Sequence, residues 1–318
     1  MAIRVGAHVS ATGGLLSALD RAAAIGAEVV QVHPTAPQTW RRLTLDAEAI
    51  GDVRKRMAGA GPDTVFFHAV YLVNLGTPRP ELLSQSVGSL RHYLELATSL
   101  GVTGVIFHPG SHRGQGFDVV LPQLARSMRE ALTGAGPDTR LLIENSAGAG
   151  DNIGSTFAQI ARMLEAVDDA RLGVCVDTAH TLTAGYDIAS EAGLARTLDE
   201  LQSAVGMDRV LAVHANDSKA PLGSNVDRHE NIGLGYLGDD GLRRICREPR
   251  LDRLPFILEV PGLERQGPDR ANVARLRELA GLPPLPPLVA DAAQPPPGAA
   301  TEPDPGAVAR ARGAQPVR

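Results

Sequence analysis

The sequence predicts a closed (β/α)8 barrel, a TIM barrel in the α/β class, and three observations carry that expectation. Eight strand-length apolar runs alternate with segments of helical spacing, the order that lays down a parallel sheet with helices outside it. Six successive runs end at a histidine or a carboxylate: His68, His108, Glu144, Asp177, His214 and Glu259. An open doubly wound sheet would scatter those residues along its edge. A closed barrel gathers them at one rim, the rim where such barrels keep their chemistry.

Taken in order, Ile3 to His8 is a short strand ending in a histidine, and Gly13-Gly14 turns the chain into Leu15 to Ile25, which has helical spacing. Ala27 to Val32 reads as the second strand, closed at His33-Pro34 because proline ends regular structure. A helix over Asp46 to Ala58 leads to the third strand, Asp63 to His68, and to a loop over Ala69 to Gly76. A long helix, Pro80 to Leu100, precedes the fourth strand, Gly104 to His108, which closes on Pro109-Gly110. Val119 to Leu132 is helical, Thr139 to Glu144 is the fifth strand, and Ile153 to Ala166 is the next helix. Leu172 to Val176 is apolar and β-branched, as suits a strand buried on both faces, and it breaks off at Asp177. A helix over Ser190 to Val205 precedes the seventh strand, Arg209 to His214. A polar loop, Asn216 to Gly238, a helix near Leu242, the eighth strand, Leu254 to Glu259, and a final helix, Arg270 to Ala280, complete the pattern.

From Leu282 the composition shifts to Pro, Ala and Gly, a mixture that buries too little apolar surface to offset the entropy of ordering. The expected organisation is therefore a barrel domain at 1–281 and a disordered tail at 282–318. Cys175 and Cys246 are too few for a disulfide framework, and Cys175 lies inside an apolar run, which fits a reducing cytoplasm. No run has the length of a signal-peptide core or of a membrane span, so neither export nor a membrane partner is expected. The formal charge of −5 speaks mildly against nucleic acid, but three divalent ions would cancel it within a single cleft.

A carboxylate buried at a strand tip costs several kcal/mol unless a positive charge neutralises it. Asp177 has a competing reading as the N-cap of a following helix, with His180 in its first turn. What favours cation binding is repetition. His180 follows Asp177 at the third position, and Asp227-Arg228-His229 adds two donors in the long loop, which makes nine candidate ligands with the strand tips. One four-coordinate site cannot use nine, whereas three ions sharing bridging carboxylates can. Clustered divalent ions are also the usual means of activating water against a phosphodiester. His33 and His112 follow strand ends but interrupt the pattern, and His92 falls within a helix. His8, Asn145 and Asn216 are expected to orient ligands by hydrogen bonding.

These stretches resemble the endonuclease IV family of apurinic/apyrimidinic endonucleases. The matching motifs are GAHVSATGG at Gly6 to Gly14, YLVNLG at Tyr71 to Gly76, FHPGSH at Phe107 to His112 and IENSAGAGDNIG at Ile143 to Gly154. They continue with GVCVDTAHTLTAGYD at Gly173 to Asp187, HANDSKAPLGSNVDRH at His214 to His229 and ILE at Ile257 to Glu259. The resemblance implies a barrel with three zinc ions, one of them replaceable by manganese or iron, that cuts double-stranded DNA 5′ to an abasic site. It implies one zinc held by His68, His108 and Glu144, a second by Glu144, Asp177, His214 and Glu259, and a third by His180, Asp227 and His229. Glu144 and Glu259 would be the catalytic carboxylates, Glu259 orienting a metal-bridging hydroxide that attacks phosphorus. Tyr71 and Leu72 match the wedge that extrudes the abasic nucleotide, a cheap extrusion because stacking is already lost. Lys219 and Arg228, with Arg41, Arg42 and Arg113 nearby on rim loops, are the candidates for phosphate contact. A monomer acting on chromosomal DNA at the nucleoid is implied.

Three loops depart from the family's pattern: residues 33–40, Ala69-Val70, and Leu234, where an acidic residue is expected. Two other functions share the chemistry. A xylose-isomerase-like sugar isomerase or epimerase uses one or two metals, which leaves His180 and the Asp227–His229 pair surplus. A non-catalytic lesion-binding module would keep the metals for stability alone. Cleavage against ketose conversion separates the first, and a gel shift without cleavage in added zinc marks the second.

Overall fold

A computed structural model describes residues 3–59 and 62–287. Strands β1 (Arg4–His8), β2 (Val29–Val32), β3 (Thr64–His68), β4 (Gly104–Phe107), β5 (Arg140–Glu144), β6 (Leu172–Asp177), β7 (Val210–His214) and β10 (Pro255–Leu258) close into one parallel barrel, with β10 lying against β1. Strands β8 (Asp217–Ser218) and β9 (His229–Glu230) form an antiparallel pair within the long loop, an element the sequence pattern does not reveal. Helices α1 (Leu15–Ile25), α2 (Ala47–Met57), α3 (Pro80–Leu100) and α4 (Phe117–Leu132) join the first five strands. They are followed by α5 (Phe157–Val167), α6 (Thr178–Thr183), α7 (Glu191–Ala204), α8 (Gly238–Cys246) and α9 (Arg270–Ala280).

The register that positions the site is a two-residue step. Val29, Phe66, Ile106, Leu142, Cys175, Ala212 and Ile257 form a closed apolar cluster inside the barrel. Side chains alternate across a strand, so the residues two positions further on also face inward. Those residues are Gln31, His68, His108, Glu144, Asp177, His214 and Glu259, and the corresponding step on β1 runs from Gly6 to His8. A plug of hydrocarbon is thus capped by a polar ring to which every barrel strand contributes one side chain. Gly6 completes the packed layer because a Cβ there would lie 2.1 Å from Val29 O on β2.

Outward-facing residues such as Val30, Val32, Val65, Phe67, Val105 and Leu141 belong to the larger core between sheet and helices. α5 starts at Phe157, four residues later than the spacing suggests, because Thr156 caps it by accepting from Gln159 N at 3.2 Å. Ile153 is instead buried in the preceding loop. α6 is a further helix, capped by Asp177, which accepts from His180 N at 2.7 Å.

Six residues of the expected tail, 282–287, are described, and two of them are half-buried. Leu282 and Leu285 pack against the core, and Arg277 Nε donates to Pro283 O at 3.2 Å. The rest of that expectation, 288–318, lies outside the described residues. No helix among the described residues is long and apolar enough to cross a membrane.

Candidate metal centre

At the C-terminal rim the strand tips meet in a cleft of about 560 Å³. Three donor groups adjoin one another there: His68, His108 and Glu144; Glu144, Asp177, His214 and Glu259; and Asp177, His180 and His229. Glu144 belongs to the first two and Asp177 to the last two, so two carboxylates link all three. Glu144 Oε2 lies 3.0 Å from His68 Nε2 and 3.4 Å from His108 Nε2, while its Oε1 lies 3.0 Å from His214 Nδ1. Glu259 Oε2 is 3.2 Å from the same His214 nitrogen. Asp227 is exposed on the cleft wall, with Oδ1 3.1 Å from His180 Nε2 and 3.5 Å from His229 Nε2. Asp177 Oδ2 reaches His229 Nε2 at 3.6 Å, so this residue also serves the third group. It performs both tasks weighed for it from the sequence, capping α6 with one oxygen and facing the cleft with the other.

The histidines are aimed by what their second nitrogen touches. A carbonyl oxygen only accepts, so His68 Nδ1 donates to Ala69 O (2.8 Å), His180 Nδ1 to Asn145 O (2.9 Å) and His229 Nδ1 to Glu259 O (3.3 Å). Each bond turns Nε2 toward the donor cluster, where it can carry a proton or ligate a cation. His180 Nε2 and His229 Nε2 are buried and make no well-aligned hydrogen bond, facing carboxylate oxygens 3.1 to 3.6 Å away, a gap between donors that a cation would fill. The donor set is of imidazole nitrogen and carboxylate oxygen, which fits zinc, manganese or iron.

Electrostatics agree with that fit. Burial alone would raise the Glu144 carboxyl, yet His108 and His214 hold it well below the usual carboxylate range. Burial would likewise lower His180, but Asp177, Asp227 and Glu144 push it up to about 10. Protons on His68, His180 and His214, whose pKa values are raised, balance the buried carboxylates, and divalent cations bound in their place would displace those protons.

Asn145 and Asn216 lie in the supporting layer. Asn145 Oδ1 accepts from Asp177 N at 2.7 Å, Asn216 Nδ2 donates to Asp177 Oδ2 at 2.6 Å, and Asn216 Oδ1 accepts from Glu259 N at 2.7 Å. His8 Nδ1 is 2.9 Å from Glu259 Oε1. Asp217 anchors the loop that carries Asp227 and His229: it accepts from the backbone N–H of Ser218, Gly233, Gly235, Leu237 and Gly238. Gly235 is required there, since a Cβ would lie 2.4 Å from Ser218 O.

Of the candidate DNA contacts, Tyr71 and Arg228 line the cleft, Tyr71 with 64% of its surface exposed. Leu72 is half-buried and packs against the core, and Lys219 faces Glu230 at 3.5 Å; neither lines the cleft. Nor do Arg41, Arg42 and Arg113. Leu234, in one of the departing loops, is 68% exposed. His92 donates to Leu43 O and His112 faces Asp151, both apart from the donors. His33, set aside in the sequence, lines the cleft between the rings of His8, His68 and Tyr71. Arg265 lines it too, from a loop with no sequence signal. Gln31 is the other residue the tip pattern missed; its signal is the inward register described above, not the end of an apolar run.

A TIM barrel with shared donor groups at its rim defines a class, and the family of xylose isomerase-like TIM barrels matches residues 19–279. Within that class the chain belongs to the endonuclease IV family. A Methanoculleus marisnigri protein named "Probable endonuclease 4" is 37% identical over 281 residues, which is 88% of this chain and 99% of that one. The crystal structure of endonuclease IV from Thermus thermophilus is similar with a TM-score of 0.78 at 36% identity, covering 87% of this chain and 99% of that one. A D-tagatose 3-epimerase-like protein, with a TM-score of 0.65 at 17% identity over 88% of this chain and 96% of its own, shares the barrel alone.

Proposed function

We propose that this protein is a metal-dependent apurinic/apyrimidinic endonuclease that hydrolyses the DNA phosphodiester 5′ to an abasic site in base excision repair, leaving the abasic sugar on a 5′-phosphate end. The observation that carries the reading is the set of three adjoining donor groups linked through Glu144 and Asp177. His68, His108 and Glu144 would hold one zinc ion, Glu144, Asp177, His214 and Glu259 a second, and Asp177, His180, Asp227 and His229 the third, manganese or iron being able to replace one. Bound there, the ions supply an activated water and positive charge for the phosphoryl oxygens. The chain's own residues do the rest. Glu259, fixed by Asn216 at its backbone and by His8 at Oε1, would orient the attacking hydroxide. Tyr71 stands at the rim where a wedge would enter the duplex, and Arg228 and Arg265 at the cleft wall meet backbone phosphates. The protein is read as a monomer working on chromosomal DNA in the cytoplasm.

The test is a duplex with a single tetrahydrofuran lesion, offered to protein whose metal content has been measured. Incision 5′ to the lesion, abolished by a chelator and restored by zinc, is expected. An intact duplex with zinc-loaded protein sinks the reading; conversion of ketoses by the same preparation would favour the sugar isomerases instead, and a gel shift without cutting would favour a binding module.

A further inference from the structure

Gln31 is the one member of the polar ring that is neither an imidazole nor a carboxylate, and it is completely buried on β2. Its Nε2 lies 2.6 Å from Glu259 Oε1, and its Oε1 lies 2.8 Å from His214 Nε2. The orientation of the amide follows from chemistry. A carboxylate oxygen only accepts, and an amide oxygen 2.6 Å from it would be repelled, so the NH2 end must face Glu259. The carbonyl end then faces His214, and because it can only accept, the His214 proton must sit on Nε2. His214 Nδ1 then faces the carboxylates, 3.0 Å from Glu144 Oε1 and 3.2 Å from Glu259 Oε2, and is the nitrogen free to ligate once a cation displaces the proton it shares with them.

The contrast with the other ligands is informative. His68, His180 and His229 have their far nitrogen held by backbone carbonyls, which no substitution removes. His214 is held by a side chain, and the same side chain grips Glu259. We propose that Gln31 is a positioning residue for the middle donor group, fixing the His214 tautomer and tethering Glu259 so that one cation in particular depends on it. The inference rests on the metal-dependent reading of the site and adds a residue to it.

The experiment uses the full chain, stripped with a chelator, reloaded with zinc alone and challenged with a chromophoric competitor. Gln31→Met keeps the length of the side chain and removes both polar ends. The variant is expected to hold one zinc ion fewer than the unsubstituted chain under competition, that ion bound about ten- to a hundred-fold more weakly, while the others are unchanged. Its kcat on the lesion duplex falls while KM holds, because the wedge and phosphate contacts are untouched. Equal retention of every ion overturns the inference alone. So does a uniform loosening of all ions in step with a lowered Tm, which would make Gln31 a packing residue only. An unsubstituted chain that retains no zinc overturns the reading of the site and this inference with it. Should the variant fail to fold, imidazole 1H–15N correlation on the zinc-loaded unsubstituted chain decides: a proton on His214 Nε2 supports the inference, and one on Nδ1 ends it.

Discussion

Glu259 is the residue on which most of the local geometry converges. One oxygen faces His214 in the middle donor group, the other is gripped by Gln31 and His8, and its backbone N–H is fixed by Asn216. Glu259→Gln keeps the size and much of the hydrogen bonding but removes the charge with which Glu259 would help hold a cation and orient the attacking hydroxide. The variant is expected to fold with an unchanged Tm and to lose about 10²-fold or more in kcat on the tetrahydrofuran duplex, the scale of a misplaced attacking group. Near-normal turnover would remove Glu259 from its assigned role. The same residue shows what was legible from sequence. An Asp or a Glu that ends an apolar run announces itself, because burying it needs a partner. Gln31 does not: it sits within Val29-Val30-Gln31-Val32, one residue short of the end of the run, and only the barrel's register turns it inward.

At the scale of elements, the strands and helices follow their caps and periodicity closely, and the errors lie where tertiary contacts take over. The pairing of Ser218 with His229 depends on Asp217 collecting five amide protons, four of them from residues far along the chain, which no local pattern encodes. The entry to β6 is pinned in a comparable way. Arg171 binds Asp169 through Nη2 at 2.6 Å and Nε at 3.0 Å, and its Nη1 donates to Leu132 O and Ala135 O at the end of α4. Hydrogen bonding from Arg171 holds the Asp169 carboxyl below its ordinary value. A carboxyl so depressed adds stability above its unfolded pKa of about 4, and the gain is lost as pH falls through the lower folded value. Asp169→Asn should therefore cost about 1 kcal/mol near neutral pH, discounted for partial exposure, and progressively less as the pH is taken down through the folded value. Urea denaturation at neutral and at acid pH measures it, and a pH-independent cost would contradict the ion-pair account.

For the whole molecule, the composition shift at Leu282 suggests that the barrel ends there, yet Leu285 lies against Gly26 and Leu282 against the core. A chain ending at Gly281 should be less stable than one ending at Pro287 by about 2 kcal/mol, the scale of two partly buried leucines. Equal unfolding midpoints for the two truncations would show that the docked stretch contributes nothing. The alternation of strands and helices was readable because each barrel strand repeats one local grammar. The inner packing layer was less so, since Gly6 and Cys175 carry no mark of facing the same axis as Phe66 and Ile106.

Because the donors are spread from β3 to the residue after β10, no fragment that stops short of Glu259 holds all three groups. A polypeptide still emerging from the ribosome can offer His68, His108 and Glu144 early, but the middle group waits for Glu259. On the proposed metal-dependent reading, full metallation would be a late step in the protein's biogenesis, taken after synthesis has passed the last strand. Arrested nascent chains released before and after residue 259 would differ in the number of zinc ions they retain.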